Sequence, residues 1–182
     1  MSLAPVIAVV GPSGVGKDSV MAALEARASG IQRLRRVITR PEGEEGEDFD
    51  RVSVEVFEQM VLDGAFSMHW QAHGLHYGVP VQILEQRTQC QAVLVNFSRA
   101  VLLQAQEVFG DLIVISLTAD AKVLEQRLAA RGRETTEEQV KRLGRAKAPL
   151  PEGLRRVIEI DNSGALDDTV NAILARLQPE RA

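Results

Sequence analysis

The sequence holds one cysteine, four lysines, one tryptophan and one tyrosine in 182 residues, and it has no apolar run long enough to span a bilayer. The lone Cys90 cannot form an internal disulfide and offers no paired-thiol metal spacing, which fits a reducing compartment and a cytoplasmic address. The apolar stretch from Val6 to Val10 is short and has neither a basic flank nor a cleavage site, so no targeting segment is expected. Basic side chains number 21 against 25 acidic ones, a net charge of -4, so no overall basic field draws the chain to nucleic acid or to an anionic membrane. Any anion must be held locally. Seventeen of the basic residues are arginine, whose rigid fork suits bidentate recognition of phosphate.

The composition is otherwise that of a globular chain, 45% hydrophobic and 25% charged, and the length predicts one domain, 1–182. Strand-like and helix-like segments alternate, which predicts an α/β fold with a parallel sheet flanked by helices. The strand candidates are Val6–Val10, Arg36–Thr39, Ala92–Phe97, Leu112–Leu117 and Val157–Ile160, and their near-continuous apolar character predicts burial on both faces. Helical patterns fall at 19–28, 54–63, 80–88, 99–109, 121–131, 136–146 and 165–177. Pro80 opens one of them, Gly64 closes another, and Thr135 with Glu138 reads as a capping box. Two insertions break the rhythm. The first, about 35–80, begins with an acidic Gly-rich loop and ends in a hairpin turning at His73-Gly74; it holds five of the seven aromatics, which predicts a small core of its own. The second, about 124–150, carries Arg127, Arg131, Arg133, Arg142 and Arg145 on two helices, a unit suited to act as a lid.

The first strand runs directly into Gly11-Pro12-Ser13-Gly14-Val15-Gly16-Lys17-Asp18-Ser19 and then a helical pattern. This is a phosphate-binding loop in the strand-loop-helix setting the motif requires. Glycines let successive backbone N–H groups converge on a phosphate, the helix directs its positive end at the same point, and Lys17 reaches the outer phosphates. Nucleotide binding is the reading preferred over a plain Gly-rich turn. Where the motif usually places a hydroxyl on Mg²⁺, this chain has Asp18. Either Asp18 ligates the ion, directly or through water, or it faces away and Ser19 takes over; the first reading is preferred, because a carboxylate is a good ligand for a hard cation.

Beyond the loop, the chain resembles the guanylate kinase superfamily over nearly its whole length. The matching features are Thr39-Arg40-Pro41, Val56-Phe57-Glu58 leading to Gly64-Ala65-Phe66, and the His73-Gly74-x-x-Tyr77-Gly78 turn. Leu124-x-x-Arg127-Leu128-x-x-Arg131-Gly132, Arg142-Leu143 and Asn162 after the last strand complete the set. The resemblance implies a nucleoside-monophosphate-kinase-like core that binds ATP with Mg²⁺, an acceptor-binding insertion at 35–80 and an arginine-bearing lid at 124–150. It also implies Arg40 and Tyr77 as phosphate-holding residues, and Asn162 on the adenine side of ATP or as a turn cap.

The acceptor groups depart from those of guanylate kinases. Glu42 stands near an expected second arginine, Phe49 replaces a tyrosine, His69 replaces the guanine-reading carboxylate, and Val79 replaces a small hydroxylated residue. A site built to hydrogen-bond guanine loses much without those partners. With Gly16-Lys17-Asp18, Trp70-x-Ala72-His73-Gly74 and Asn96-x-Ser98-Arg99, the pattern is similar to the ribose 1,5-bisphosphate phosphokinases, which implies ATP-dependent phosphorylation of a sugar bisphosphate. A guanylate kinase with an altered pocket is the alternative. A non-catalytic guanylate-kinase-like binding module ranks last, because Gly11, Gly16 and Lys17 are intact.

An acceptor that is itself a phosphate needs no catalytic base, so the chemistry reduces to aligning two polyanions and neutralising them. The expected catalytic cations are Lys17, Arg131 and Arg142, with Arg127 and Arg145 as the structural pair. Arg40, His69, Tyr77 and Arg99 are the expected acceptor ligands, Arg99 because it follows the end of a core strand, where ligands of α/β folds bind. The three histidines, His69, His73 and His76, lie in a hairpin that matches structural zinc spacings poorly, so sugar or phosphate contacts are the preferred reading.

Overall fold

The computed structural model describes residues 2–42, 48–131, 137 and 149–178. Its centre is β1 (Val6–Val10), buried along its whole length because it lies between two parallel neighbours and under layers on both faces. Those neighbours are β7 (Ala92–Asn96) and β8 (Leu112–Thr118), and the sheet continues outward to β2 (Ile31–Arg33) and β9 (Val157–Asp161) in the order β2-β7-β1-β8-β9. All four ladders are parallel. The chain leaves β1 toward one side of the sheet and later fills the other, so the C-terminal end of β1 is the switch point where α/β sheets bind ligands.

Alternation along β1 divides the core in two. Ile7 and Val9 pack with Leu24, Leu94, Ile115 and Ile173, beneath α1 (Lys17–Arg27) and α6 (Leu166–Leu177). Val6, Ala8 and Val10 face the other way, toward Leu102 and Ala105 of α4 (Leu102–Phe109), which follows a single 3-10 turn at Arg99–Val101. The same second cluster takes in Ile38, Met68, Trp70, Tyr77 and Val79 from a smaller sheet. The aromatic insertion therefore does not form a core of its own: its apolar face is continuous with that of the main sheet.

The smaller sheet has the order β4-β3-β6-β5, from β3 (Val37–Ile38), β4 (Asp50–Arg51), β5 (Phe66–Ala72) and β6 (Leu75–Pro80). The segment expected as a core strand at Arg36–Thr39 belongs here, pairing antiparallel with β6 and parallel with β4. The second core strand is instead β2, three residues too short and too polar to stand out in the sequence. Between β4 and β5 lies α2 (Val54–Leu62), capped by the Ser53 hydroxyl, which accepts from the Val56 N–H at 3.2 Å. Gly64, at φ +71°, ends that helix as expected. β5 and β6 turn at His73 (φ +53°) and Gly74 (φ +74°), a two-residue loop with both residues left-handed, as the twist of a tight hairpin demands.

Pro80 does not open a helix but closes β6, and α3 (Ile83–Gln89) starts three residues later. α5 (Ala121–Arg131) follows β8. β9 is an edge strand whose exposed and buried residues alternate, so the expectation of burial on both faces fails there. The expected helix at 136–146, its Thr135-Glu138 capping box, Arg133, Arg142 and Arg145 lie outside the described residues. No helix among the described residues is long and apolar enough to cross a membrane.

Candidate active site

The loop after β1 is shaped by backbone. Gly14 and Gly16 adopt φ +84° and +97°, conformations that cost a residue with a Cβ about 1–2 kcal/mol. Interleaved left-handed residues turn successive N–H groups to one side, the arrangement that receives an anion. The Val15 N–H closes a turn on the Pro12 carbonyl at 3.2 Å, and Gly16 caps α1. Gly11 is required for a different reason: a Cβ there would meet the Leu117 carbonyl oxygen and Val15 Cγ1 at 2.8 Å. Lys17 folds back across this turn, its ammonium donating to the Gly11 carbonyl at 2.8 Å. Ser13 is half-buried in the loop and Ser19 is exposed on the first turn of α1.

Asn162, expected at the nucleotide, lies just after β9 and is only 4% exposed. Its amide donates to the Val15 carbonyl at 2.7 Å and accepts from the Thr169 hydroxyl at 2.6 Å. Arg127 of α5 lies alongside, its guanidinium donating to the carbonyls of Val15 (3.1 Å) and Asn162 (2.8 Å), with Gly14 at 3.4 Å. Arg131 ends α5.

Asp18 borders a shallow cleft together with Met21, Arg33, Leu34, Arg35, Asp48 and Asn96. Asp48 is engaged by Arg35, which also reaches Asp50 at 3.0 Å and the Phe49 carbonyl at 3.1 Å. Magnesium with a nucleotide takes one or two protein carboxylates and completes its shell with phosphates and water. Asp18, beside Lys17 in the first turn of α1, is a donor of the right chemistry, so these residues fit the ion. No group of three His, Cys, Asp or Glu among the described residues forms a metal cage.

The small sheet carries a second group of side chains. Trp70 and Tyr77 are cross-strand partners with rings stacked at 5.4 Å and 7°. The guanidinium of Arg36 lies 5.0 Å from the Tyr77 ring centre and 6.0 Å from that of Trp70, and Arg36 is buried. Trp70 donates its indole N–H to the Ser98 hydroxyl at 3.2 Å, joining this wall to the end of β7 beside Arg99. Arg99 is half-buried, and that desolvation pulls its guanidinium below the ordinary arginine pKa. Arg40 rests 5.1 Å over Phe49, with Arg51 on the same ring at 5.4 Å and donating to the Arg40 carbonyl at 2.9 Å. Thr39 fastens this step to β6 through a paired exchange with His76, at 2.9 and 3.2 Å.

The same alternation separates two residues that the sequence groups together. His69 pairs with Gly78, next to the Trp70–Tyr77 pair, so its ring lies on the opposite face of the hairpin, near Phe57 and Phe66 at 6.3 Å. His69 and Tyr77 do not share a wall. Arg36 is the residue the sequence reading missed. An arginine beginning an apolar run in an aromatic-rich insertion was its only signal.

No family model matches the chain. Among curated relatives, the ribose 1,5-bisphosphate phosphokinase PhnN of Ruegeria sp. (strain TM1040) is 54% identical over 178 residues, 98% of this chain and 94% of its own length. The chain belongs to the ribose 1,5-bisphosphate phosphokinase family. A phosphokinase of that name from Pseudomonas paraeruginosa (strain DSM 24068 / PA7) is 48% identical, over 97% of this chain and 96% of its own. The phosphokinase family's fold is in turn that of P-loop kinases. A guanylate kinase from Anaplasma phagocytophilum superposes at a TM-score of 0.64 with 19% identity, over 97% of this chain and 86% of its own. A gluconokinase from Sinorhizobium meliloti 1021 gives 0.54 with 22% identity, over 97% and 95%.

Proposed function

We propose that the chain transfers the γ-phosphoryl of ATP to the 1-phosphate of ribose 1,5-bisphosphate, giving 5-phosphoribosyl 1-diphosphate and ADP. The observation that carries this is a glycine-shaped phosphate loop closed by Lys17, in a chain 54% identical to a named ribose 1,5-bisphosphate phosphokinase. Gly11 to Ser19 cradle the phosphates of ATP, and Lys17 releases the Gly11 carbonyl to follow the transferred charge. The 1-phosphate is already an anionic nucleophile, so alignment and neutralisation supply the catalysis. Asp18, or Ser19 in its stead, holds Mg²⁺, which offsets phosphate charge when bound. Arg40, Tyr77 and Arg99 hold the acceptor, with Arg36 behind Tyr77, and His69 serves only an acceptor that reaches round the hairpin. Arg131 and Arg142 of the 124–150 lid neutralise the transferring group, and 35–80 is the acceptor unit of one 1–182 domain. The substrates are small molecules.

Phe49, His69 and Val79 support a sugar bisphosphate over GMP, since each removes a polar group a guanine nucleotide would need. The test is ADP release from ATP and Mg²⁺ with each acceptor offered separately, alongside Lys17→Ala. Turnover of ribose 1,5-bisphosphate alone, lost in the variant, is expected. Turnover of GMP alone overturns the acceptor, and an unaffected variant overturns the nucleotide site.

A further inference from the structure

Arg127, Asn162 and Thr169 come from three separate elements, α5, the end of β9 and α6; the first two converge on one peptide of the phosphate loop, and Thr169 holds Asn162 from behind. The Val15 carbonyl accepts from Asn162 Nδ2 at 2.7 Å and from Arg127 Nη1 at 3.1 Å, which fills both of its lone pairs. Thr169 donates to Asn162 Oδ1 at 2.6 Å, and that bond decides which end of the amide faces the loop. Arg127 also holds the Asn162 carbonyl at 2.8 Å, so the two donors are locked to each other. Gly16 makes the approach possible, since a Cβ there would sit 2.8 Å from Asn162 Nδ2.

Peptide planarity turns this anchoring into a statement about the opposite edge of the unit. The Val15–Gly16 peptide is trans, as are all those described, so the Gly16 N–H points away from the carbonyl of the same plane. Fixing the carbonyl toward Arg127 and Asn162 fixes that N–H on the opposite edge of the peptide, away from both anchors. A charged donor on the carbonyl also polarises the N–H of the same peptide, making it a stronger donor to an anion. Released from its anchors, the peptide is free to rotate and to bring an oxygen toward the phosphates.

We propose that Arg127 and Asn162, oriented by Thr169, are positioning residues that aim the Gly16 N–H at the nucleotide's phosphates. Their effect on ATP is transmitted through the loop backbone and is blind to the base. This rests on the nucleotide reading of the loop and adds to it the origin of the loop's orientation.

The test uses the full chain and inorganic pyrophosphate, a probe with no base, as a competitive inhibitor against ATP. Asn162→Leu and Arg127→Met are expected to raise both the pyrophosphate Ki and the KM for ATP by about tenfold, the scale of one charge-assisted hydrogen bond, with the ATP to GTP preference unchanged. Arg127→Lys, which keeps a charged donor, recovers part of the loss. Thr169→Val is nearly isosteric and touches no part of the loop; it is expected to raise both constants about threefold, and it decides the matter if Asn162→Leu does not fold. An unchanged pyrophosphate Ki with an altered ATP to GTP preference overturns the proposal in favour of a base contact. A lowered Tm with wild-type Ki and KM overturns it in favour of packing alone. If Lys17→Ala abolishes pyrophosphate inhibition while these variants leave it intact, the positioning role fails and the nucleotide reading stands. If Lys17→Ala changes nothing, the nucleotide reading itself fails.

Discussion

On the proposed nucleotide side the loop presents backbone N–H groups, whereas on the proposed acceptor side the small sheet presents rings and guanidinium groups. The first wall is shaped by local conformation, with two left-handed glycines and the turn they create, and is held from outside by Arg127 and Asn162. The second depends on which face of a hairpin each residue occupies, and a single step along β5 separates Trp70 in the core from His69 at the surface. Backbone suits the nucleotide because any triphosphate presents the same oxygens. Side chains suit the acceptor because they are what evolution can exchange to change substrate on one P-loop framework.

Substitution at Gly16 breaks the comparison hardest. Gly16→Ala keeps every side chain of both walls but places a Cβ on a residue at φ +97° and 2.8 Å from the Asn162 amide. Left-handed strain of about 2 kcal/mol, relieved by reshaping the loop, corresponds to a loss of about thirtyfold in ADP affinity. Calorimetric titration of ADP measures it, and the KM for the sugar bisphosphate is expected to stay put. Wild-type ADP affinity would show that loop conformation is not what makes this wall.

Tyr77→Phe probes the opposite wall with a smaller change. Phenylalanine retains the stack on Trp70 and the aromatic face under Arg36, so only the hydroxyl is lost. A hydrogen bond to a charged group is worth about 1.5–3 kcal/mol, so the KM for ribose 1,5-bisphosphate is expected to rise at least tenfold with the KM for ATP unchanged. Steady-state kinetics with each substrate varied in turn checks this. A shift in the KM for ATP instead would mean that the two walls are not separable.

The same contrast explains what could be read before any coordinates. The loop was legible residue by residue, because its motif is contiguous and its conformation is local. β1, β7, β8 and β9 were legible from their apolar runs, whereas β2 and β4, at three and two residues, carry no period to detect. Arg36–Thr39 was legible as extended but not as part of a second sheet, because pairing partners are set by tertiary contact. Arg127 reads as one of the structural pair among the lid arginines, but its partners were hidden: it spends its donors on Val15 and Asn162, 112 and 35 residues away in sequence. Arg36 was hidden because an arginine stacked on two rings looks, in sequence, like any arginine at a strand start. Arg142 falls outside the described residues, so its part in the chemistry rests on resemblance.

The smallest expected effect lies in the cleft beside Asp18, at the end of β2. Glu25 of α1 accepts from the Arg33 backbone N–H at 3.1 Å and from its guanidinium at 2.8 Å, and Arg33 lines the cleft beside Asp18. Burial alone would push the Glu25 carboxyl up, but the two bonds from Arg33 and its charge outweigh that and hold it below the usual carboxylate range. A carboxyl lowered in the folded state binds fewer protons there than in the unfolded chain. Its contribution is therefore present above the unfolded carboxyl pKa and is lost as pH falls through the folded value. Glu25→Gln is expected to lower stability at pH 7 and to differ little from wild type near pH 3, as urea unfolding at the two pH values will show. The difference at pH 7 is expected to stay below about 1 kcal/mol, because both side chains are part-exposed and solvent screens the pair. A kinetic consequence is not expected, since Arg33 keeps its backbone place in the ladder with β7 when its partner is neutral. If the variant instead alters the KM for the sugar bisphosphate, then the cleft between α1 and β2 belongs to the acceptor wall, and the division between backbone and side-chain recognition must be redrawn there.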